Sequence, residues 1–225
     1  MEIRKEPVKA LPEPTLRRFP KYLQLLKRLK IENIRYIASN MIADELGLDS
    51  IQVRKDLSLT GIIGKPKLGF DLDELTQSLF HSLNWDNINE AFLVGAGSLG
   101  NAIMGYKNIS AYGFKIIAAF DNDASKIGSI MNNIEILPIE NLTDMIVSMN
   151  INIGVITTPE ETAQQIANLM ISGGIKAIWN FAPVHLKVPE NIIIENAQLS
   201  QSLGVLTHKL AVVMKSHSSL PAKEN

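Results

Sequence analysis

The chain has 225 residues, 46% hydrophobic and 20% charged, with a formal net charge of −1 and no cysteine. That size and balance suit two modest domains with buried cores and exclude global disorder, while the lack of thiols excludes disulfides and thiolate zinc sites. The first fourteen residues hold no apolar core of signal-peptide length, and no apolar run approaches the roughly 20 residues of a membrane span, so the expectation is a soluble, cytoplasmic chain with no membrane partner.

Charge is unevenly distributed. Residues 1–70 carry 14 Lys and Arg against 8 Asp and Glu, or +6; residues 71–225 carry 8 against 15, or −7. A basic first third joined to an acidic remainder suggests different partners for the two parts, with nucleic acid the simplest polyanion for the first. A solvated basic helix accounts for the charge equally well.

Thr15 is suited to cap a helix in which Leu16, Phe19, Leu23, Leu26 and Leu29 form an apolar stripe. In "SNMIADELGLDSIQVRKDLSLTG", Ser39 is placed to cap a helix through Leu46, and Gly47 to stop it in left-handed geometry. Asp49 and Gln52 then resemble a capping box opening a second helix. Two short helices about a glycine turn make a helix-turn-helix. On the second, Val53 and Leu57 point inward, and Ile51, Arg54, Lys55 and Ser58 share the outer face. With Ser50 and Gln52 near its N-terminus, this helix offers Arg54, Lys55 and Ser58 to phosphates and base edges of a major groove. "GIIGKPKLGF" reads as a tight hairpin with Lys65 and Lys67 near its tip, a wing for a minor groove. A generic helical hairpin with a charged face competes with this winged-helix reading. "DLDELTQSLFHSL" closes the domain as a helix and "NWDNIN" is the expected linker, giving a DNA-binding domain over residues 1–84.

Residues 85–196 read as a Rossmann-like α/β domain, a doubly wound parallel sheet. "AFLVGA" is a short apolar strand, and Gly95, Gly97 and Gly100 form G-x-G-x-x-G, whose glycines permit a tight turn and close approach of backbone to a pyrophosphate. The run Gly95, Ala96, Gly97, Ser98, Leu99 and Gly100 is the expected phosphate loop. "FKIIAAFD" ends a second strand at Asp121, 21 residues after Gly100, where an acid accepts hydrogen bonds from an adenosine ribose. No Arg follows at once, which favours NAD(H) over NADP(H); Asp123 reads as a turn residue. Strands and helices then alternate, and the loops beginning at Thr157, Thr158 and Pro159 and at Asn180 and Phe181 leave the carboxyl ends of strands, where ligands of such sheets sit. Each is also readable as a plain turn. His185 has no evident carboxylate partner, and no metal or catalytic motif is present, which argues for a binding domain rather than an enzyme. An NAD-dependent oxidoreductase with a basic N-terminal extension, and a DNA-binding sensor of another adenine nucleotide, remain as alternatives.

In residues 197–225, Leu199, Leu203, Leu206, Leu210 and Val213 recur at steps of four and three, a heptad seam suited either to a two-fold dimer or to packing on the chain's own sheet. Beyond Lys215 a frayed tail is expected.

The stretches "LGLDSIQVRKDLS", "DLDEL", "VGAGSLG", "GFKIIAAFD" and "NFAPVHLKVPE", in this order, make the chain similar to the Rex family of bacterial redox-sensing transcriptional repressors from about Pro14 to Val213. The resemblance implies a homodimer that binds palindromic operator DNA through winged helices, carries NAD(H) in Rossmann-like domains, swaps C-terminal helices and leaves DNA when NADH binds. It assigns Gly95, Gly97, Ser98 and Gly100 to the pyrophosphate, Asp121 to the ribose, and Arg54, Lys55 and the wing lysines to DNA. Tyr106 is implied near the nicotinamide and Arg18 near the domain junction. The chain departs from the family at Leu59 and Thr60 after the second helix, at Pro66 and Lys67 in the wing, and at Gln198, where an Asp is common. Gln carries no charge, so the switch formed by Arg18, Tyr106 and Gln198 is expected to separate the redox forms less sharply or to bias the equilibrium differently.

Overall fold

The computed structural model describes residues 10–197 and 199–218, which divide into two compact units. The first takes residues up to Ile88 together with Ser110–Gly113; the second takes Asn89–Ile109 and the chain from Phe114 onward.

The first unit contains α1 (Glu13–Ile31), β1 (Tyr36–Ile37), α2 (Ser39–Leu46), α3 (Ser50–Leu59), β2 (Phe70–Asp71) and α4 (Leu72–Ser82). Two expected caps are corrected. Helix α1 starts before Thr15, with Pro12 at the cap position and a proline in the first turn whose preset φ suits a helix start. The Thr15 hydroxyl instead donates to Asp56. Ser39 is already helical, following Ala38, which makes no side-chain cap. Gly47 does end α2 at φ 62°, and the Asp49 carboxylate accepts the backbone N–H groups of Ile51 and Gln52 at 2.8 and 2.9 Å. The return arm of the capping box is missing because the Gln52 amide donates to Asp56.

Phe19, Leu23, Leu26 and Leu29 are buried as the periodicity requires, and Tyr22, Val53, Leu57, Leu75 and Leu79 join them in one core. Each fully buried side chain of this size contributes about 1.5–3 kcal/mol. In the wing, Lys65 and Gly69 exchange backbone hydrogen bonds around a three-residue tip, and β2 then returns antiparallel to β1. Lys67 takes the left-handed conformation that a lysine resists, at φ 64°. Trp85, in the expected linker, packs against Phe80 and Tyr112 with ring centroids 5.7 and 4.6 Å apart, which extends the first unit to Ile88.

The second unit runs β3 (Asn89–Val94), α5 (Ser98–Met104), β4 (Phe114–Asp121), β5 (Ile130–Met131), β6 (Ile134–Pro138), α6 (Leu142–Met149), β7 (Ile153–Ile156), α7 (Glu160–Ser172), β8 (Ala177–Asn180), β9 (Ile193–Asn196) and α8 (Leu199–Ser218). Its strands lie in the order β5-β6-β4-β3-β7-β8-β9, parallel except for β5. Alternation along β3 and β4 sends Phe92, Val94 and Phe120 toward α6 and α7, and Ala91, Leu93 and Ala119 toward α5. The β5–β6 hairpin is legible in the sequence only in hindsight, because its turn is Asn132–Asn133, both at positive φ, rather than a glycine pair.

Every described side chain of α8 from Leu199 to Lys215 is exposed, with Leu203, Leu206 and Leu210 at 58, 63 and 58%. The seam therefore does not pack on the chain's own sheet. The helix reaches Ser218, past the point where fraying was expected, and residues 219–225 lie outside the described residues.

Candidate nucleotide cleft and DNA-binding face

A cleft of about 710 Å³ opens at the carboxyl ends of β3, β4, β7 and β8. The order of the parallel strands reverses at β3, so the cleft sits at the topological switch point, the usual ligand position of an open α/β sheet. Of the residues expected there, Gly95, Gly97, Leu99, Asp121, Thr157, Thr158, Pro159 and Phe181 line it.

The glycine loop explains the shape of the cleft floor. Gly95 has φ 104°, and a Cβ there would lie 2.9 Å from the Thr157 carbonyl carbon. A Cβ on Gly100 would fall inside contact with the Gly95 carbonyl oxygen, so α5 approaches β3 only because that residue has no side chain. Gly97 differs: a Cβ there meets nothing within 4 Å. Nearby, the Thr157 hydroxyl donates within hydrogen-bond distance of the Val94 and Gly95 carbonyls. The buried Thr158 hydroxyl has no partner among the described residues. An unpaired buried hydroxyl costs about 1–3 kcal/mol, which a ligand oxygen would recover.

Asp121 is buried at the end of β4. Its Oδ2 accepts the Ala96 backbone N–H at 2.8 Å and Lys126 Nζ at 3.1 Å, and its Oδ1 accepts the Asp123 N–H at 3.0 Å. Lys126, absent from the expected site residues, also lies 3.5 Å from Asp123 and lines the cleft. The Asp121 side chain raises the Lys126 pKa, so its ammonium stays charged. The signal was the Asp-Asn-Asp-x-x-Lys turn after the strand, in which Asp123 caps Ser125 through both N–H and hydroxyl.

Other expected site residues lie elsewhere. Ala96 is buried and contributes its N–H to Asp121; Gly100 is buried under the loop; Ser98 is exposed at the start of α5. None of the three is among the lining residues, and neither is Tyr106, half-exposed just beyond the other end of α5. Asn180 is a correction. Its side chain is fully buried, donating to the carbonyls of Ala182 and Val184 and to Asn196 Oδ1, and accepting the Ala182 N–H. Fully buried and with its amide hydrogens committed, this side chain is out of a ligand's reach; it holds the loop that carries Phe181 and Pro183 to the cleft wall. His185 is exposed on that loop, and no metal-binding cluster occurs among the described residues. Gln198 lies outside the described residues.

In the first unit, Ile51, Arg54, Lys55 and Ser58 are exposed along α3, with Ser50 and Gln52 half-buried. Lys65 rests over the Tyr36 ring, 5.2 Å from its centroid, and 3.9 Å from Glu74, which orients the wing lysine from its base; Lys67 is exposed at the tip. Arg18, expected near the domain junction, is held within this unit by a bidentate ion pair to the fully buried Asp56, at 2.6 and 2.7 Å. Asp56 is the functional candidate that periodicity concealed, since a charged residue between Lys55 and Leu57 reads as surface. No described helix is long and apolar enough to cross a membrane.

The chain matches the family model described as "Putative DNA-binding protein N-terminus" over residues 10–58 and that described as "CoA binding domain" over residues 86–184. It is 40% identical over 200 residues to the redox-sensing transcriptional repressor Rex of Bacteroides thetaiotaomicron, covering 89% of this chain and 91% of that one. It is 39% identical over 193 residues to the Rex of Treponema denticola, covering 86 and 92%. Among solved structures it is similar to RSP in complex with β-NAD⁺ and operator DNA, with a TM-score of 0.85, 31% identity and coverage of 95% of this chain and 100% of that one. The complex of RSP with β-NADH gives a TM-score of 0.84 at 31% identity, covering 93 and 99%. With a DNA-binding type of helical unit and a switch-point cleft in one polypeptide, and this identity along most of its length, the chain belongs to the Rex family of redox-sensing transcriptional repressors.

Proposed function

We propose that this chain is a cytoplasmic, homodimeric repressor, without catalytic activity, that binds operator DNA through α3 and the wing and is released when NADH occupies the cleft. The observation that carries the reading is the cleft lining: open space over Gly97, a partnerless Thr158 hydroxyl, and a ribose-type acid at the end of β4. These fit a dinucleotide. Gly97 leaves room for a pyrophosphate, Thr158 supplies a hydroxyl for a ligand oxygen, and Asp121 Oδ1, which accepts the Asp123 backbone N–H, retains a lone pair for a ribose hydroxyl. The net charge of Asp121, Asp123 and Lys126 is −1, which disfavours a 2′-phosphate. The bound dinucleotide supplies a nicotinamide whose charge differs between its redox forms; the chain's residues hold it and exclude water from its pyrophosphate.

Dimerisation belongs to the same proposal. The exposed Leu203, Leu206 and Leu210 seam of α8 is apolar surface that a second copy would cover, presenting two α3 helices to a palindrome. Release then follows as a population shift: converting a 99:1 preference for the DNA-competent arrangement to 1:99 takes about 10⁴-fold tighter NADH binding to the other arrangement. Gln198 in place of an Asp weakens the charge difference available to separate NADH from NAD⁺, and restoring Asp at 198 should change the ratio of the two affinities.

The test is selection of a duplex from a random pool by the nucleotide-free chain, followed by polarisation titration with NAD⁺ and NADH at several salt concentrations. Loss of binding with NADH alone is the expected result. Specific binding indifferent to both nucleotides, or no sequence preference at all, refutes the proposal.

A further inference from the structure

The Asp56 carboxylate is 0% exposed and accepts five hydrogen bonds. Oδ1 takes Thr15 Oγ1 at 3.0 Å, Arg18 Nη2 at 2.7 Å and Gln52 Nε2 at 3.0 Å; Oδ2 takes Arg18 Nε and Tyr22 Oη, both at 2.6 Å. Three of the donor residues come from one face of α1 and the fourth from α3 itself. Burial pushes the carboxyl pKa up, but the donors, Arg18 first, outweigh it and hold the pKa below the ordinary carboxylate range, so the group is ionised at neutral pH.

Phe19 and Leu23 of α1 and Val53 and Leu57 of α3 already share one apolar core, and a buried ion pair is often no more stabilising than an apolar pair of the same volume. What the network adds is direction. Apolar side chains tolerate a helix that rolls or slides by a fraction of a residue; a bidentate guanidinium fork with two hydroxyls on the same carboxylate does not. It also settles Gln52. Only the amide nitrogen can face Asp56 without oxygen–oxygen repulsion, so Gln52 Oε1 is turned away from the network as an acceptor.

We propose that Asp56 and Arg18 are positioning residues for DNA reading: they fix the rotation of α3 on α1 and the amide orientation of Gln52, and so set selectivity among DNA sequences rather than affinity for DNA as such. This rests on the reading of α3 as the recognition helix. The paired replacement R18M/D56L substitutes an apolar contact for the ion pair in the full-length chain. Its affinity is measured by polarisation for the duplex selected by the wild-type chain and for a scrambled duplex of equal length, with thermal denaturation alongside. The expected result is at least a tenfold fall in the selected-to-scrambled affinity ratio, with scrambled-duplex affinity within twofold of wild type and a still cooperative melting transition, lowered because the Thr15 and Tyr22 hydroxyls lose their acceptor. A preserved ratio in the folded variant overturns the inference. Should R18M/D56L fail to fold, the near-isosteric D56N, which leaves Gln52 free to reverse its amide, is assayed on selected duplexes altered one base pair at a time; base preferences identical to wild type overturn the inference equally. A wild-type chain without sequence preference overturns the proposed function and this inference with it, whereas wild-type preference with unaltered variants overturns the inference alone.

Discussion

Gly97 and Gly100 stand three residues apart in the same loop, and the structure assigns them opposite sensitivities to a single methyl group. At Gly97, φ −83° and ψ −166° are extended backbone open to alanine, and the added Cβ meets no atom within 4 Å. Loss of unfolded-chain entropy on Gly→Ala stabilises by about 0.4–1 kcal/mol, offset by the poorer capping of alanine at the N-cap position of α5. The net effect on Gly97→Ala stability is therefore within about 1 kcal/mol of zero, a shift of less than about 8 °C in a unit of this size. At Gly100 the Cβ is driven against the Gly95 carbonyl and lies 3.0 Å from the Thr157 hydroxyl. Backbone has to move, and overpacking of this kind costs about 1–3 kcal/mol. If the space over Gly97 is where a pyrophosphate lies, Gly97→Ala weakens NADH binding by tenfold or more, equivalent to about 1.4 kcal/mol, while leaving the fold intact. Gly100→Ala weakens both. Thermal denaturation and NADH fluorescence titration on the two variants separate the cases. Wild-type NADH affinity in Gly97→Ala refutes the placement of the ligand over the loop.

Asn180→Ala removes a fully buried amide with four internal partners and is expected to cost about 1–3 kcal/mol, seen as a lower denaturation midpoint, because the Ala182 N–H and two loop carbonyls lose their bonds. Lys67→Gly relieves a left-handed lysine at the wing tip and is expected to stabilise by about 0.5–1 kcal/mol, while lowering the slope of log affinity for DNA against log salt by about one counterion. Leu206→Asp on the exposed seam of α8 is expected to leave the melting temperature of the first unit unchanged and to shift the chain toward monomer in sedimentation; a dimer as tight as wild type counts against the seam. Asp56 has a depressed pKa in the folded chain, so its contribution is present above the unfolded carboxylate value of about 3.9 and is lost as pH falls through the folded value. Acid denaturation of the first unit should accordingly steepen below about pH 4, and Asp56→Asn should flatten that part of the curve.

The chain's local rules were strong enough to locate most elements. Left-handed Gly47 and the Asp49 cap fix the turn between α2 and α3 through interactions reaching no more than three residues, and the spacing of Gly95, Gly97, Gly100 and Asp121 records a strand-turn-helix-strand unit that backbone geometry makes nearly unavoidable. Thr15 is no cap because prolines start α1 before it and the buried Asp56 takes its hydroxyl.

Burial partners are another matter, since they join residues far apart in sequence. Asp56 and Arg18 are 38 residues apart, and nothing in "RKDLS" distinguishes a buried acid from a solvated one. Asn180 reads as a ligand-facing strand end, yet its hydrogen bonds, one of them to Asn196 on the neighbouring strand, turn it inward. The two-part architecture, the glycine loop and the apolar seam of α8 are legible along the chain, because propensity, capping and periodicity act within a few residues. Which polar side chains face the cleft and which are consumed inside depends on the fold, because a carboxylate or amide has a fixed number of hydrogen-bonding sites and its neighbours in space set how many are filled.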